Sequence, residues 1–234
     1  MKRNLVIATS AEGGFYNDKD FKPTGFDLAL INFNPDEWND DDRVYGTAKY
    51  YVKDRGFKHH IYKRFIEKYD ILDQYDWIWM PDYDVHLDAT EIVRLFDIAQ
   101  EYNLNVCQPS LTHNSYHSFP LVLNDPTKFM RYTNYVEIMC PLFKTSALRR
   151  VLGTFTITYS GWAQDYLWAR ELNYERFAIV DAVQAAHVKP VESHHWALPN
   201  GLNADRELSN VLELMGIPQK QYWPRVIGGI DRWI

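Results

Sequence analysis

Two aspartates one residue apart, Asp82 and Asp84, follow an apolar stretch that stops at Pro81. In extended backbone, residues two apart face the same way, so both carboxylates can point at one ion. Hard cations such as Mg²⁺ or Mn²⁺ take carboxylate and phosphate oxygens, and two carboxylates plus a diphosphate nearly complete such a shell. The D-x-D pattern alone is loose, because Asp18-Lys19-Asp20 and Asp40-Asp41-Asp42 repeat it. Position sets the third copy apart, since ligands of open α/β sheets bind outside the carboxyl ends of strands. A solvated turn after a strand is the competing reading.

Other side chains extend this chemistry. In Gly161-Trp162-Ala163-Gln164-Asp165, the aspartate sits near a predicted helix start. There it either complements the helix dipole or serves as a general base toward a hydroxyl. His187, after Ala185 and Ala186, is either structural or a metal ligand. It matters to the site if it returns to the same sheet edge as Asp84. Lys58, His59, His60, Lys63 and Arg64 make a local basic cluster. His113, His117, His194 and His195 could form a zinc cluster with a carboxylate, but no H-E-x-x-H or comparable spacing supports one. P-loop, dinucleotide-binding glycine and nucleophile-elbow patterns are absent, which disfavours ATP hydrolysis, dinucleotide redox and α/β-hydrolase chemistry.

The elements that must position these residues alternate. Residues 5–9 read as a buried first strand, followed by a loop over 10–14. Residues 26–33 read as a second strand, and 34–43 as an acidic, solvated loop. Residues 59–69 have helical spacing through Ile61, Phe65, Ile66 and Tyr69. Residues 75–81 form an apolar strand. Asp88-Ala89-Thr90-Glu91 resembles a capping box ahead of the stripe Ile92, Leu95, Phe96 and Ala99. A strand is predicted over 105–108, a long irregular segment over 109–134, and a strand over 135–143. Thr145 can cap a helix carrying Ala147, Leu148, Val151 and Leu152, and a further helix runs to about Leu172. Short strands at 177–180 and 184–188 complete the pattern. The alternation predicts an α/β sheet with layers on both faces. The tail beyond about Val191, with a helix over 205–215, reads as an extension that packs on the main domain. About 40 residues would be marginal as an independent domain.

Length and composition suit one ordinary globular domain: 234 residues, 46% hydrophobic and 24% charged. The net charge of −6 argues against a protein that coats nucleic acid through phosphate contacts. An aromatic share of 15% is high, and such rings build cores but also line carbohydrate and base-stacking sites. Cys107 and Cys140 are the two cysteines, outside any CxxC, and are expected as buried thiols in a reducing cytoplasm. The apolar run Leu5-Val6-Ile7-Ala8 is too short for a signal peptide or a membrane span, so a cytoplasmic protein without membrane insertion is expected.

Strand, D-x-D, long acceptor-side segment, Gly-x-x-x-Asp helix start and late His, in that order, resemble the core of a GT-A fold glycosyltransferase. Narrower stretches resemble a family of uncharacterised glycosyltransferases carried as a domain of unknown function. They are residues 75–84, Gln108-Pro109-Ser110-Leu111, residues 136–143, Ser160-Gly161-Trp162 with Asp165, and Val180-Asp181 with His187. The resemblance covers about residues 4–190. It implies a GT-A (Rossmann-like) mixed sheet flanked by helices, with a catalytic domain over 1–190 and a C-terminal extension over 191–234.

It also implies roles. Asp82, Asp84 and His187 would hold a divalent cation (Mn²⁺ or Mg²⁺), with Asp84 the more direct ligand. Asp165 would be the acceptor-side base, although Gln164 stands where that family often has a Glu. Glu137 would contact donor sugar or acceptor. Thr9, Ser10, and the segment from Lys53 through Arg55 to Lys58 would face the nucleotide, and Tyr83 would lie with this donor-binding set. The implied reaction moves a sugar from a nucleotide sugar, a UDP-sugar being expected, to a saccharide or small hydroxylated acceptor. Two alternatives stand beside it: transfer to a hydroxymethylated base in DNA, and a non-catalytic carbohydrate-binding module.

Overall fold

The computed structural model describes residues 3–35, 42–190, 197–216 and 223–232. Asp40, Asp41, His194 and His195 lie outside the described residues.

The strands are β1 (Asn4–Ser10), β2 (Asp27–Asn32), β3 (Tyr50–Lys53), β4 (Trp77–Trp79), β5 (Val85–His86), β6 (Val106–Leu111), β7 (Lys128–Thr133), β8 (Leu142–Lys144), β9 (Phe177–His187) and β10 (Val226–Asp231). The helices are α1 (Asp42–Thr47), α2 (Lys58–Lys68), α3 (Ile71–Gln74), α4 (Ala89–Glu101), α5 (Thr145–Val151), α6 (Gln164–Glu171) and α7 (Ala204–Leu214). The sheet runs β10-β7-β9-β6-β8-β4-β1-β2-β3, with β5 pairing β9 beside this path. Strands β3, β2, β1 and β4 are parallel. Antiparallel β8 then separates β4 from β6, and β9 lies parallel to β6. The expected mixed sheet flanked by helices is therefore present.

Strand periodicity splits the core in two. Val6, Ala8, Leu28, Leu30, Trp77 and Trp79 face one side and pack with Ile92, Leu95, Phe96 and Ala99 of α4. Their sequence neighbours Leu5, Ile7, Ala29, Ile31, Ile78 and Met80 face the other, against Ile61, Tyr62, Phe65 and Ile66 of α2 and Ala147, Leu148 and Val151 of α5. A strand buried on both faces reads as a continuous apolar run rather than an alternation, as in residues 5–8. Each fully buried large apolar side chain contributes roughly 1.5–3 kcal/mol, so these two layers hold the sheet rigid beneath its loops.

Several expectations are corrected. The predicted strand over 135–143 survives only as β8, because the carbonyls of Ile138, Met139 and Cys140 accept hydrogen bonds from side chains, Lys58 Nζ and Trp79 Nε1. The supposedly irregular 109–134 segment contains β7, which the C-terminal β10 pairs. Residues 177–187 form one long strand rather than two, with a register irregularity opposite Pro109 and Ser110. The capping box is not formed, since Asp88 occupies the N-cap of α4 without a side-chain bond. Thr145 lies inside α5 and donates to the Tyr75 carbonyl at 2.7 Å, while Lys144 takes the cap position. Among the described residues, no helix is long and apolar enough to cross a membrane.

Candidate active site

The carboxyl ends of β1 to β4 open into a cleft of about 990 Å³. Thr9 stands next to the end of β1, Phe33 follows β2, the Gly56–Lys58 turn leads from β3 into α2, and Asp82, Tyr83 and Asp84 follow β4; all line the cleft. The strand order reverses between β1 and β4, the place where open α/β sheets leave a crevice. Glu137, Asp165 and His187 line the same cleft. Ser10, Lys53 and Arg55 lie outside its lining: Ser10 is buried in β1, and Lys53 and Arg55 are exposed near the outer strand β3.

Backbone pairing brings Asp84 to His187. Val85 of β5 is opposite His187 of β9, and Val188 N donates to Asp84 O at 3.1 Å. Asp84 Oδ2 then lies 3.5 Å from His187 Nε2, with both residues buried. The other ring nitrogen, Nδ1, lies 2.8 Å from the Tyr116 carbonyl, the geometry of a donated N–H. Burial disfavours the imidazolium, but the bonds to Asp84 and Tyr116 and the charges of Asp84 and Asp82 outweigh it and raise the His187 pKa.

Asp82 has a different partner. Its Oδ1 accepts from Lys58 Nζ at 2.6 Å, and the same ammonium donates to the carbonyls of Ile138 and Met139. Partial desolvation in the cleft raises the Asp82 carboxyl's pKa, against the opposing pull of Lys58. The three expected ligands therefore sort into a facing pair, Asp84 and His187, and an aspartate held by lysine. Among the described residues, no group of three His, Cys, Asp or Glu side chains is gathered as a complete metal site. The chemistry of Asp84 and His187 nevertheless fits one edge of a cation's shell. Ligand atoms on one small ion lie about 3 Å apart, and a metal-bound histidine commonly donates its second N–H to a carbonyl. The zinc reading gains no group either: His117 lines the cleft, while His113 is exposed.

Asp165 sits in the first turn of α6 with its carboxylate buried. Oδ2 accepts from Tyr135 OH at 2.7 Å. Burial, aided by the charge of Glu137, raises its pKa to about 7 although the Tyr135 and Tyr166 bonds lower it. Glu137 is 3% exposed, and its Oε2 has no hydrogen-bond partner among the described residues. Burial likewise raises its pKa. Gly161 makes the approach possible. Its φ is +83°, and a Cβ there would sit 2.9 Å from His59 Nδ1.

Some contributors escaped the sequence reading. Lys189 lines the cleft two residues beyond His187, with Nζ 4.7 Å from the Tyr83 ring centroid and donating to Tyr83 OH and Glu12 O at 3.2 Å each. Its position beyond the late histidine was the available signal. Glu207 of α7 accepts from Tyr159 N, Ser160 N and Ser160 Oγ, fixing the turn that leads to Gly161. Nothing in the local sequence pairs Glu207 with that turn.

No protein-family model matches the sequence, and no curated protein matches it significantly. Solved structures do share the fold. Crystal structures of S. aureus TarS align with TM-scores of 0.54 for TarS 1–349 in complex with UDP-GlcNAc, 0.52 for TarS 1–349 and 0.50 for TarS. Identities are 13%, 12% and 13%, over 92%, 79% and 92% of this chain. The chain spans 65%, 59% and 43% of the length of those three chains, respectively. At such identities the likeness is one of fold, a mixed sheet flanked by helices.

Proposed function

We propose that the protein is a metal-dependent glycosyltransferase that moves a sugar from a nucleotide sugar, a UDP-sugar foremost, to a hydroxyl acceptor. One observation carries this reading: a single cleft places the facing pair Asp84 and His187 together with a buried carboxylate, Asp165, whose pKa lies near 7. A fold shared with a protein crystallised with UDP-GlcNAc supports the choice of donor. On this reading residues 1–190 form the catalytic domain, 191–234 an extension of it, and the protein works in the cytoplasm.

Asp84 and His187 would hold the divalent cation, with Asp82 at its border; when bound, the cation neutralises charge growing on the departing diphosphate. Lys189 and Lys58 are the lysines placed to reach diphosphate oxygens. Asp165 takes the proton as the acceptor oxygen bonds to the anomeric carbon. The bond from that carbon to the phosphate oxygen breaks, and its electron pair leaves with the nucleoside diphosphate. A base with a pKa near the working pH suits that transfer. Glu137 faces the same space and would accept a sugar hydroxyl.

The test is nucleoside diphosphate release from UDP-, GDP-, dTDP- and ADP-sugars with Mn²⁺ and pooled hydroxyl acceptors. The reading expects release from a UDP-sugar that stops when EDTA is added. Release from none of these donors would refute it.

A further inference from the structure

A line of rings leads from Asp165 to the protein surface. Tyr135, which donates to Asp165, meets Phe119 edge-on at 5.3 Å, and Phe119 meets Trp223 edge-on at 5.7 Å. Tyr166 flanks Tyr135 at 5.6 Å. Phe119, Tyr135 and Tyr166 line the cleft, and Trp223 extends their line with 69% of its surface exposed. A large aromatic side chain left this open has given up the usual gain of burial, unlike the other rings of the row.

The ledge is built rather than incidental. Asn134, next to Tyr135 in the chain, is bonded twice to the Arg225 backbone: Asn134 N donates to Arg225 O at 3.2 Å, and the Asn134 side-chain Oδ1 accepts from Arg225 N at 2.7 Å. Asn134 Nδ2 also donates to the Trp223 carbonyl at 3.4 Å. Pairing of β10 with β7 continues the clamp from Val226 and Thr133. The C-terminal extension thereby fixes the outermost ring relative to the innermost carboxylate.

Charge selects the ligand. Among the described residues the cleft is lined by two lysines and no arginine. Lys58 is bound to Asp82, and Lys189 is held at Tyr83, so both stand at the D-x-D end. The titratable groups beside the inner rings include the carboxylates of Asp165 and Glu137, and among the described residues Glu137 Oε2 has no hydrogen-bond partner. The inner end of the row thus offers a polyanion carboxylates rather than cations, while exposed Arg225 stands two residues from Trp223 at its outer end. A neutral sugar offers an apolar ring face to an indole and hydroxyls to buried carboxylates.

We infer that Trp223 and Phe119 form an acceptor subsite that stacks a neutral saccharide and leads one of its hydroxyls to Asp165. The acceptor role rests on the glycosyltransferase reading; saccharide binding at the ledge does not.

The experiment is an array of neutral mono- to tetrasaccharides, acidic glycans and single-stranded DNA, probed with wild type, Trp223→Ala and Trp223→Phe. The same proteins are titrated with UDP and Mn²⁺. The inference expects neutral saccharides to be bound, Trp223→Ala to weaken them at least tenfold, Trp223→Phe to retain much of the affinity, and UDP binding to be unchanged. Trp223 is exposed, so the alanine variant keeps its fold, which circular dichroism verifies. No neutral saccharide bound, binding confined to acidic glycans or DNA, or equal binding by Trp223→Ala would overturn it. Saccharide binding lost in Trp223→Ala by a protein that ignores UDP would uphold the ledge and sink the glycosyltransferase reading instead.

Discussion

Asp84 Oδ2 and His187 Nε2 face each other at 3.5 Å because the two-residue strand β5 pairs with the end of β9. Residues from opposite ends of the sequence motif order thus meet at one sheet edge. The same cleft holds Asp165, so on the proposed reading cation binding and proton acceptance would share one space.

Asp165→Asn should lower turnover by about 10²–10⁴-fold, the usual contribution of a general base. Wild-type turnover should rise with pH through about 7, as Asp165 loses its proton. Stability moves the other way. A carboxyl whose folded pKa is raised from 3.8 to about 7 contributes fully below the lower value and loses that contribution as pH rises through the upper one. Asp165→Asn should therefore exceed wild type in stability at pH 8 by up to about 4 kcal/mol and match it near pH 4. Thermal melts across that range, read beside a pH–rate profile, check both signs.

Gly161→Ala should be damaging although the change is one methyl group. The backbone is left-handed there, and the new Cβ would lie 2.9 Å from His59 Nδ1 and 3.3 Å from Ile138 Cδ1. Strain of this kind costs about 1–3 kcal/mol. Because Gly161 leads into α6, a tenfold or larger fall in turnover should accompany the lost stability. Denaturant melts and initial rates measure the two effects.

Arg131→Met should destabilise the protein without touching the chemistry. Arg131 donates twice to Asp181, at 2.8 Å each, and also to the carbonyls of Leu121 and Leu123. Asp181 is fully buried, so removing its partner leaves an uncompensated charge at a cost of about 3–5 kcal/mol. Denaturant unfolding should register this loss while UDP affinity, measured well below the melting temperature, stays as in wild type.

The Arg131–Asp181 pair also shows why part of the fold was hidden in the sequence. A buried arginine interrupts the apolar pattern of β7, and Gly228 and Gly229 weaken the strand signal of its partner β10. Both strands are recognisable only through their pairing. Strands β1 and β2 were legible because burial on both faces makes each nearly continuous in apolar residues. The stripes of α2 and α4 were legible for the complementary reason, one face buried. At the site, Asp82 and Asp84 could be placed because an apolar strand ends just before them. Lys58 could be named but not its binding to Asp82, and Lys189, Tyr135 and Glu207 depend on long-range contacts that local spacing does not encode.

Calorimetry of UDP binding, with and without Mn²⁺, to wild type and to Asp84→Ala tests the central claim most directly. The account predicts that Mn²⁺ tightens UDP binding to wild type at least tenfold. It predicts that Asp84→Ala removes this gain and abolishes turnover while the circular dichroism spectrum stays that of the folded protein. UDP binding that is the same with and without the cation, and the same in Asp84→Ala, would contradict it.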